Sequence, residues 1–158
     1  MKEVIITVDD IDCKIISCLK TNARSKLSAI ADIVSLSITA TADRIRKLEN
    51  IGIISGYTVL IDESRIGKDI TALISVRLEH PRYNEDFCRQ VQLNKEILEC
   101  HYVTGDYDFN LKVVTSGSAG LEKMLTYIKS IKGVALTRTL VVLSTVKSEL
   151  CVTPEPDA

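Results

Sequence analysis

The apolar residues of this chain change their period near residue 51, and that change limits the fold more than any other feature. From Asp9 to Ile51 they recur at helical spacing. From Ser55 onward strand-like runs appear between two further helical stretches. A 158-residue chain has room for one medium domain or two small ones, and the break in rhythm divides this one in two.

In the first part, Ile11, Ile15 and Leu19 form an apolar stripe with Ile16 beside them. The Asp9–Asp10 pair opens this helix, and capping accounts for Asp9, Asp10 and Asp12 more simply than metal ligation does. A second helix over about Leu27–Ser35 turns Leu27, Ile30, Ala31 and Val34 inward. Ser35-Leu36-Ser37 breaks the pattern, and Ser37 is placed to cap a third helix, Ile38–Asn50. Ile38, Thr41, Ile45 and Leu48 share its inner face. Thr39, Ala40, Asp43, Arg46 and Lys47 lie opposite, with Arg44 on the flank. Gly52 is placed to end this helix as a left-handed C-cap.

Two short helices, a tight turn and a third helix of this kind make the layout of a helix-turn-helix. A helix that enters the major groove needs small residues near its N-terminus, so that its backbone can approach base edges. It also needs cations on its flanks for phosphates. Ser37, Thr39 and Ala40 meet the first demand, and Arg44, Arg46 and Lys47 the second. The competing reading is a plain three-helix bundle with a solvated charged face. Asp43 favours it, because a carboxylate there repels phosphate.

Charge at first argues against a nucleic-acid partner: 20 Lys and Arg stand against 21 Asp and Glu. The distribution answers that objection. Between Lys20 and Lys47, six basic residues (Lys20, Arg24, Lys26, Arg44, Arg46, Lys47) face two acids (Asp32, Asp43). The balancing acids sit mostly at Glu3, Asp9, Asp10 and Asp12. A polarised domain of this kind binds weakly as one copy, so useful affinity comes from several copies on one duplex.

After Gly52, Ile53–Ile61 reads as one or two strands with a turn at Ser55-Gly56, a wing and then a connector. The polar run 62–69 is the linker. Beyond it the expected elements are a strand Ile70–Glu79, a helix Asn84–Leu93, strands Ile97–Thr104 and Phe109–Thr115, a helix after Ser116-Gly117-Ser118, and a long strand Leu136–Val146. That β-α-β-β-α-β order is the ferredoxin-like plan, an antiparallel sheet with both helices on one face. Leu73, Val103, Val141 and Leu143 are candidates for the bare face, which should bury itself against another copy. The expected division is 1–61, 62–69, 70–150, and a fraying tail, 151–158. The fold class is therefore α+β: a winged helix-turn-helix followed by a ferredoxin-like domain.

No catalytic constellation emerges. The sequence contains no P-loop, GxSxG or HExxH motif, and Cys100-His101 are strand neighbours that point to opposite faces. Cys13, Cys18, Cys88, Cys100 and Cys151 form no CxxC pair. They read as reduced thiols of a cytoplasmic protein, and His80 and His101 add no zinc-like cluster. No metal or other cofactor is expected. No apolar run approaches the length of a membrane span, and the N-terminus lacks a signal-peptide layout.

Several of these motifs together resemble one family. Leu36-Ser37, Arg44-Ile45-Arg46-Lys47-Leu48-Glu49 and Gly52-Ile53-Ile54-Ser55-Gly56-Tyr57-Thr58 resemble the helix-turn-helix stretch of the leucine-responsive/asparagine-type (Lrp/AsnC) regulators. Val8-Asp9-Asp10-Ile11-Asp12 is similar to the opening of that family's first helix, and Asn22-Ala23-Arg24 to the basic turn after it. The run Glu99–Phe109 (ECHYVTGDYDF) resembles its effector-loop signature. Lys132-Gly133-Val134, with Thr137 and Thr139 beyond, resembles the start of its last strand. The resemblance runs from about Val8 to Leu150. Ile38 and Ser35 depart from it, standing where many members have Pro and Gly.

The resemblance implies a transcriptional regulator that binds double-stranded DNA and responds to an amino acid or similar metabolite. It also implies dimers that assemble further, often to octamers, with the effector at contacts between dimers. Arg24 joins Arg44, Arg46 and Lys47 as a phosphate contact. The effector site falls on Thr104, Gly105, Asp106, Tyr107 and Asp108, with Thr137 and Thr139 lining it from the last strand. An amino acid needs a carboxylate for its ammonium group, from Asp106 or Asp108, and backbone N–H groups for its own carboxylate. Ordinary turn chemistry is the alternative role for the two aspartates. The alternative function is a ligand-binding assembly module that has lost DNA binding.

Overall fold

The computed structural model describes residues 8–155; residues 1–7, including Glu3, and the last three residues of the tail lie outside the described residues. The chain divides between Leu60 and Ile61 into two compact units, and the segment from Ser148 onward belongs with the first.

The first unit holds α1 (Asp10–Thr21), α2 (Leu27–Val34) and α3 (Ile38–Asn50). Capping starts two of these helices. Asp9 Oδ1 accepts from the Asp12 amide at 2.7 Å, and Ser37 Oγ from the Ala40 amide at 3.1 Å. Ile15, Ile30, Val34 and Leu48 form the core, with Ile11, Leu19 and Ile45 packed against it. Between α2 and α3, Ser35 takes the left-handed conformation (φ 55°), while Leu36 N–H donates to the Ala31 carbonyl. Glycine usually fills that position, so serine holds the same turn at a cost of about 1 kcal/mol. Gly52, at φ 78°, ends α3 as expected.

Two expectations for this unit need correction. Ile38 is exposed rather than inward: it opens α3, and burial on that face begins one turn later, at Thr41. The wing is absent among the described residues, since residues 51–61 form turns and extended chain but no strand. A strand needs a neighbouring ladder, and here the chain is held instead by Ile54 N–H on the Leu48 carbonyl and by the Tyr57 hydroxyl, which donates to Glu49 Oε1 at 2.8 Å. Burial, then the Glu49 carboxylate, pushes the Tyr57 hydroxyl up to about 12, so it stays a donor. Just before and within the tail, Lys20 Nζ meets Glu149 Oε2 at 2.9 Å and Thr153 Oγ1 at 3.1 Å.

The second unit begins with a short 3-10 turn, Glu63–Ile66, inside the run expected to be linker. Asp62 stiffens it by accepting from Ser64 Oγ and Arg65 Nε. Then come β1 (Ile70–Leu78), α4 (Asn84–Leu93), β2 (Ile97–Tyr102), β3 (Phe109–Thr115), α5 (Gly117–Ser130) and β4 (Val134–Val141). The sheet order is β2-β3-β1-β4, and every pairing is antiparallel. Alternation along β1 sends Ala72, Ile74, Val76 and Leu78 into a core with Phe87, Leu111 and Ile128. The Phe87 and Phe109 rings lie 4.8 Å apart in it. The N-terminus of α5 is capped from a distance, by Asp69 Oδ1 on the Gly117 amide at 2.7 Å.

The last strand starts and stops earlier than expected. Its ladder runs against β1 from Leu78 to Ala72, and past Val142 β1 offers no further partner. Leu143 and Val146 are therefore exposed chain. Val141 pairs with Ala72 and so belongs to the helix side of the sheet. Leu73, which pairs with Leu140, and Leu136, which pairs with Arg77, belong to the open face. No helix among the described residues is long and apolar enough to cross a membrane.

Candidate nucleic-acid interface and effector loop

The outer side of α3 carries the expected residues in unequal states. Thr39, Arg46 and Lys47 are exposed, and Ala40 is half-buried. Ser37 is exposed, but its oxygen is occupied by the helix cap. Arg46 Nη1 meets Asp43 Oδ1 at 3.0 Å, with both side chains largely in solvent. Such a pair is weak, so a phosphate can displace the carboxylate, and Asp43 obstructs DNA less than its charge suggests. Arg24 is exposed in the turn after α1, where its amide donates to Asn22 Oδ1.

Arg44 is placed differently from its neighbours. Its Nη1 reaches Asp9 Oδ2 at 2.6 Å and Asp12 Oδ1 at 2.8 Å, so the guanidinium joins α3 to the start of α1. Asp12 is buried, at 3% exposure. The Asp12 amide, then the Arg44 guanidinium, holds the Asp9 carboxyl below its ordinary value. The two aspartates in turn raise Arg44. A guanidinium held this way joins the two helices through its Nη1. Sequence reasoning missed it, although a carboxylate at an inward position of α1 was the available signal.

Most of the expected effector residues lie at one end of the sheet. Gly105 takes φ 118° at the head of the turn between β2 and β3, and no atom would crowd a Cβ there. Asp106 is exposed and makes no hydrogen bond or ion pair. Asp108 is committed to the fold: its Oδ2 accepts from the Leu78 amide at 2.7 Å, and its own amide donates to the Val76 carbonyl. Asp108 is thus held by a long-range bond to the end of β1 and not by the local hairpin-turn chemistry considered for it. Thr104 is exposed and Tyr107 half-buried. Thr137 pairs with Val76, so it flanks the β1 segment that Asp108 flanks from the other side. Thr139 pairs with Ile74, two residues further along, away from the turn.

A separate open cleft of about 300 Å³ lies between α4 and the end of α5, lined by Asp86, Gln90, Tyr127 and Lys132 among others. None of the expected effector residues lines it. The register also separates Cys100, opposite Leu111 of the core, from His101, opposite exposed Asn110. Burial, with Cys88 nearby, pushes the Cys100 thiol up to about 11, so it is no thiolate nucleophile at neutral pH.

Comparison with known proteins agrees with this two-unit reading. Residues 8–49 match the AsnC-type helix-turn-helix domain, and residues 71–150 match the Lrp/AsnC ligand binding domain. The HTH-type transcriptional regulator FL11 of Pyrococcus horikoshii is 36% identical over 142 residues, covering 90% of this chain and 93% of its own. The leucine-responsive regulatory protein of Haemophilus influenzae is 34% identical over 143 residues, covering 89% and 86%. Among solved structures, a transcriptional regulator of Neisseria meningitidis in complex with L-Met superposes with a TM-score of 0.88 at 26% identity, over 92% of this chain and 96% of that one. The feast or famine regulatory protein of M. tuberculosis complexed with L-methionine gives 0.84 at 28% identity, over 92% and 99%. A helix-turn-helix joined to an effector-binding α+β unit is the architecture of a transcriptional regulator and not of an enzyme. The chain belongs to the Lrp/AsnC family.

Proposed function

We propose that this protein docks α3 in the major groove of duplex DNA and that an amino acid bound near Asp106 tunes its assembly and hence its DNA affinity. The observation that carries the first half is the outer side of α3. A capped N-terminal half with short side chains precedes exposed Arg46 and Lys47. Ser37, Thr39 and Ala40 approach the bases, while Arg24, Arg46 and Lys47 hold phosphates. Lys47→Ala should weaken binding to all duplexes alike and flatten the slope of log affinity against log salt by about one unit per bound copy. A fluorescence-anisotropy titration across salt concentrations measures this. An unchanged slope would move the phosphate contacts elsewhere.

For the effector, the unpartnered Asp106 carboxylate at a turn led by Gly105 supports a site for a zwitterion, with the ammonium on Asp106 and backbone N–H groups on the carboxylate. Thr137 stands at the same end of the sheet, and Thr139 lies further in. L-Methionine, which two structural relatives hold, is the first probe. Asp106→Asn should abolish the thermal shift that L-methionine, or another responsive amino acid, produces in the parent chain. A full shift in the variant would place the site elsewhere.

Two exposed apolar surfaces support a homodimer that assembles further, to an octamer: Leu73, Leu136 and Leu140 on the open sheet face, and the run Val59-Leu60-Ile61. Effector at a contact between dimers shifts that assembly, and assembly shifts DNA affinity by linkage. A regulator that docks on duplex DNA in this way works in the cytoplasm.

A further inference from the structure

The docking proposed for α3 turns the side opposite its core toward DNA. At about 100° per residue, Thr39, Asp43 and Arg46 stand opposite buried Thr41 and Leu48, with Lys47 on their flank. Asp43 therefore sits in the middle of the groove-facing side, one turn on from Thr39. Most other polar side chains in this half of the helix are already used. The Thr41 hydroxyl is buried and donates to the Ser37 carbonyl at 3.0 Å. Ser37 Oγ caps the helix, and Arg44 Nη1 is bonded to Asp9 and Asp12. Ala40 and Ala42 carry only methyl groups. From Ile38 to Arg44, two polar groups remain for a base edge, the Thr39 hydroxyl and the Asp43 carboxylate.

Asp43 is the harder of the two to accommodate. Its carboxylate accepts from Arg46 Nη1 at 3.0 Å, and both side chains are largely in solvent. Once a phosphate takes Arg46, the carboxylate faces the groove without that cation. There it repels the acceptors of the groove floor, guanine O6 and N7 and thymine O4. Adenine offers a donor at N6 but sets its N7 acceptor next to it. Cytosine presents the N4 amino group with no acceptor beside it on the same base, so it is the edge that suits a carboxylate. We propose that Asp43 is a specificity-determining residue, which accepts a hydrogen bond from the N4 amino group of one cytosine under each α3 and disfavours other bases there. The carboxylate that counts against phosphate binding thus acts as a selector. This rests on the proposed docking of α3 and assigns its base selectivity.

The experiment uses the full chain and duplexes recovered by selection from a random pool. Each base pair of a recovered site is replaced in turn by the other three. At one cytosine per half-site the parent protein should lose about tenfold in affinity on replacement, as for a single mismatched pair. Asp43→Ala should bind all four bases equally at that position, keep its preferences elsewhere, and bind random-sequence duplex at least as tightly as the parent. Asp43→Asn should move the preference at the same position to adenine, whose N6 and N7 match an amide. Because Asp43 makes only an exposed ion pair with Arg46, both variants should melt within a few degrees of the parent.

Parent binding that is steeply salt-dependent yet requires no cytosine at any position overturns the Asp43 assignment and leaves α3 docking in place. The same cytosine preference persisting in Asp43→Ala also overturns it. So does an Asp43→Ala variant that loses discrimination at every position alike, because Asp43 then acts through Arg46 and not on a base. No duplex binding by the parent even at low salt removes the docking itself, and the assignment with it.

Discussion

Arg44→Met should unfold the first unit far more readily than any other substitution on the outer side of α3. Removing the guanidinium leaves the Asp12 carboxylate buried without its ion-pair partner, 3% exposed, between α1 and α3. Breaking a buried pair from one side costs about 3 kcal/mol, a large fraction of what a three-helix unit of this size commands. Urea unfolding followed by far-UV circular dichroism measures it, as an early loss of helical signal. Arg44→Met combined with Asp12→Leu should recover most of the loss, since no charge then stays stranded. An unfolding midpoint equal to the parent's in Arg44→Met alone would refute the lock.

The same contact has a pH signature. The Asp9 carboxyl is held low, first by the Asp12 amide and then by Arg44. A depressed carboxyl contributes stability above its unfolded value, about 4, and loses it as pH falls through the folded value. The first unit should therefore soften below about pH 4, with Arg44→Met softening less in proportion. DNA binding separates Arg44 from its neighbours. Per folded molecule, Arg44→Met should keep the parent's salt slope, whereas Lys47→Ala flattens it.

Arg44 also marks where the sequence stops being legible. Features governed by a few residues in a row could be read directly: the caps at Asp9 and Ser37, the end of α3 at Gly52, and the bounds of α4 and β3. These follow from short-range rules, a periodicity or a capping oxygen. The destination of a long side chain is a tertiary fact. The basic stripe Arg44, Arg46, Lys47 reads as one patch, yet Arg44 leaves it because two aspartates from α1 happen to lie within reach. Asp108 follows the same logic, since the Leu78 amide that holds it is 30 residues away. The absent wing and the shortened β4 fail for a related reason. Strand propensity in Tyr57–Ile61 and Leu143–Val146 is real, but a strand exists only where a neighbour supplies its ladder.

In the second unit, Gly133→Ala should be the most damaging small change, although it adds a single methyl group. Gly133 joins the end of α5 to β4 at φ 90°, a conformation that costs an alanine about 1–2 kcal/mol. Its carbonyl also accepts from the Glu79 amide just past β1, so the local backbone is pinned and cannot rotate away. A Cβ there would stand 2.3 Å from Tyr83 Cγ and 2.7 Å from Tyr83 Cβ. The Tyr83 ring has little room to yield, because it packs on the core and carries Arg82 over its face at 4.8 Å. Strain and overpacking together should cost about 4 kcal/mol. Gly105→Ala is the control. At φ 118° it meets comparable backbone strain in open space, so its loss should stay near 1–2 kcal/mol. Differential scanning calorimetry of the two variants tests the comparison. Equal losses would mean that Tyr83 gives way, and that the strand carrying Thr137 and Thr139 is not held in place by that ring.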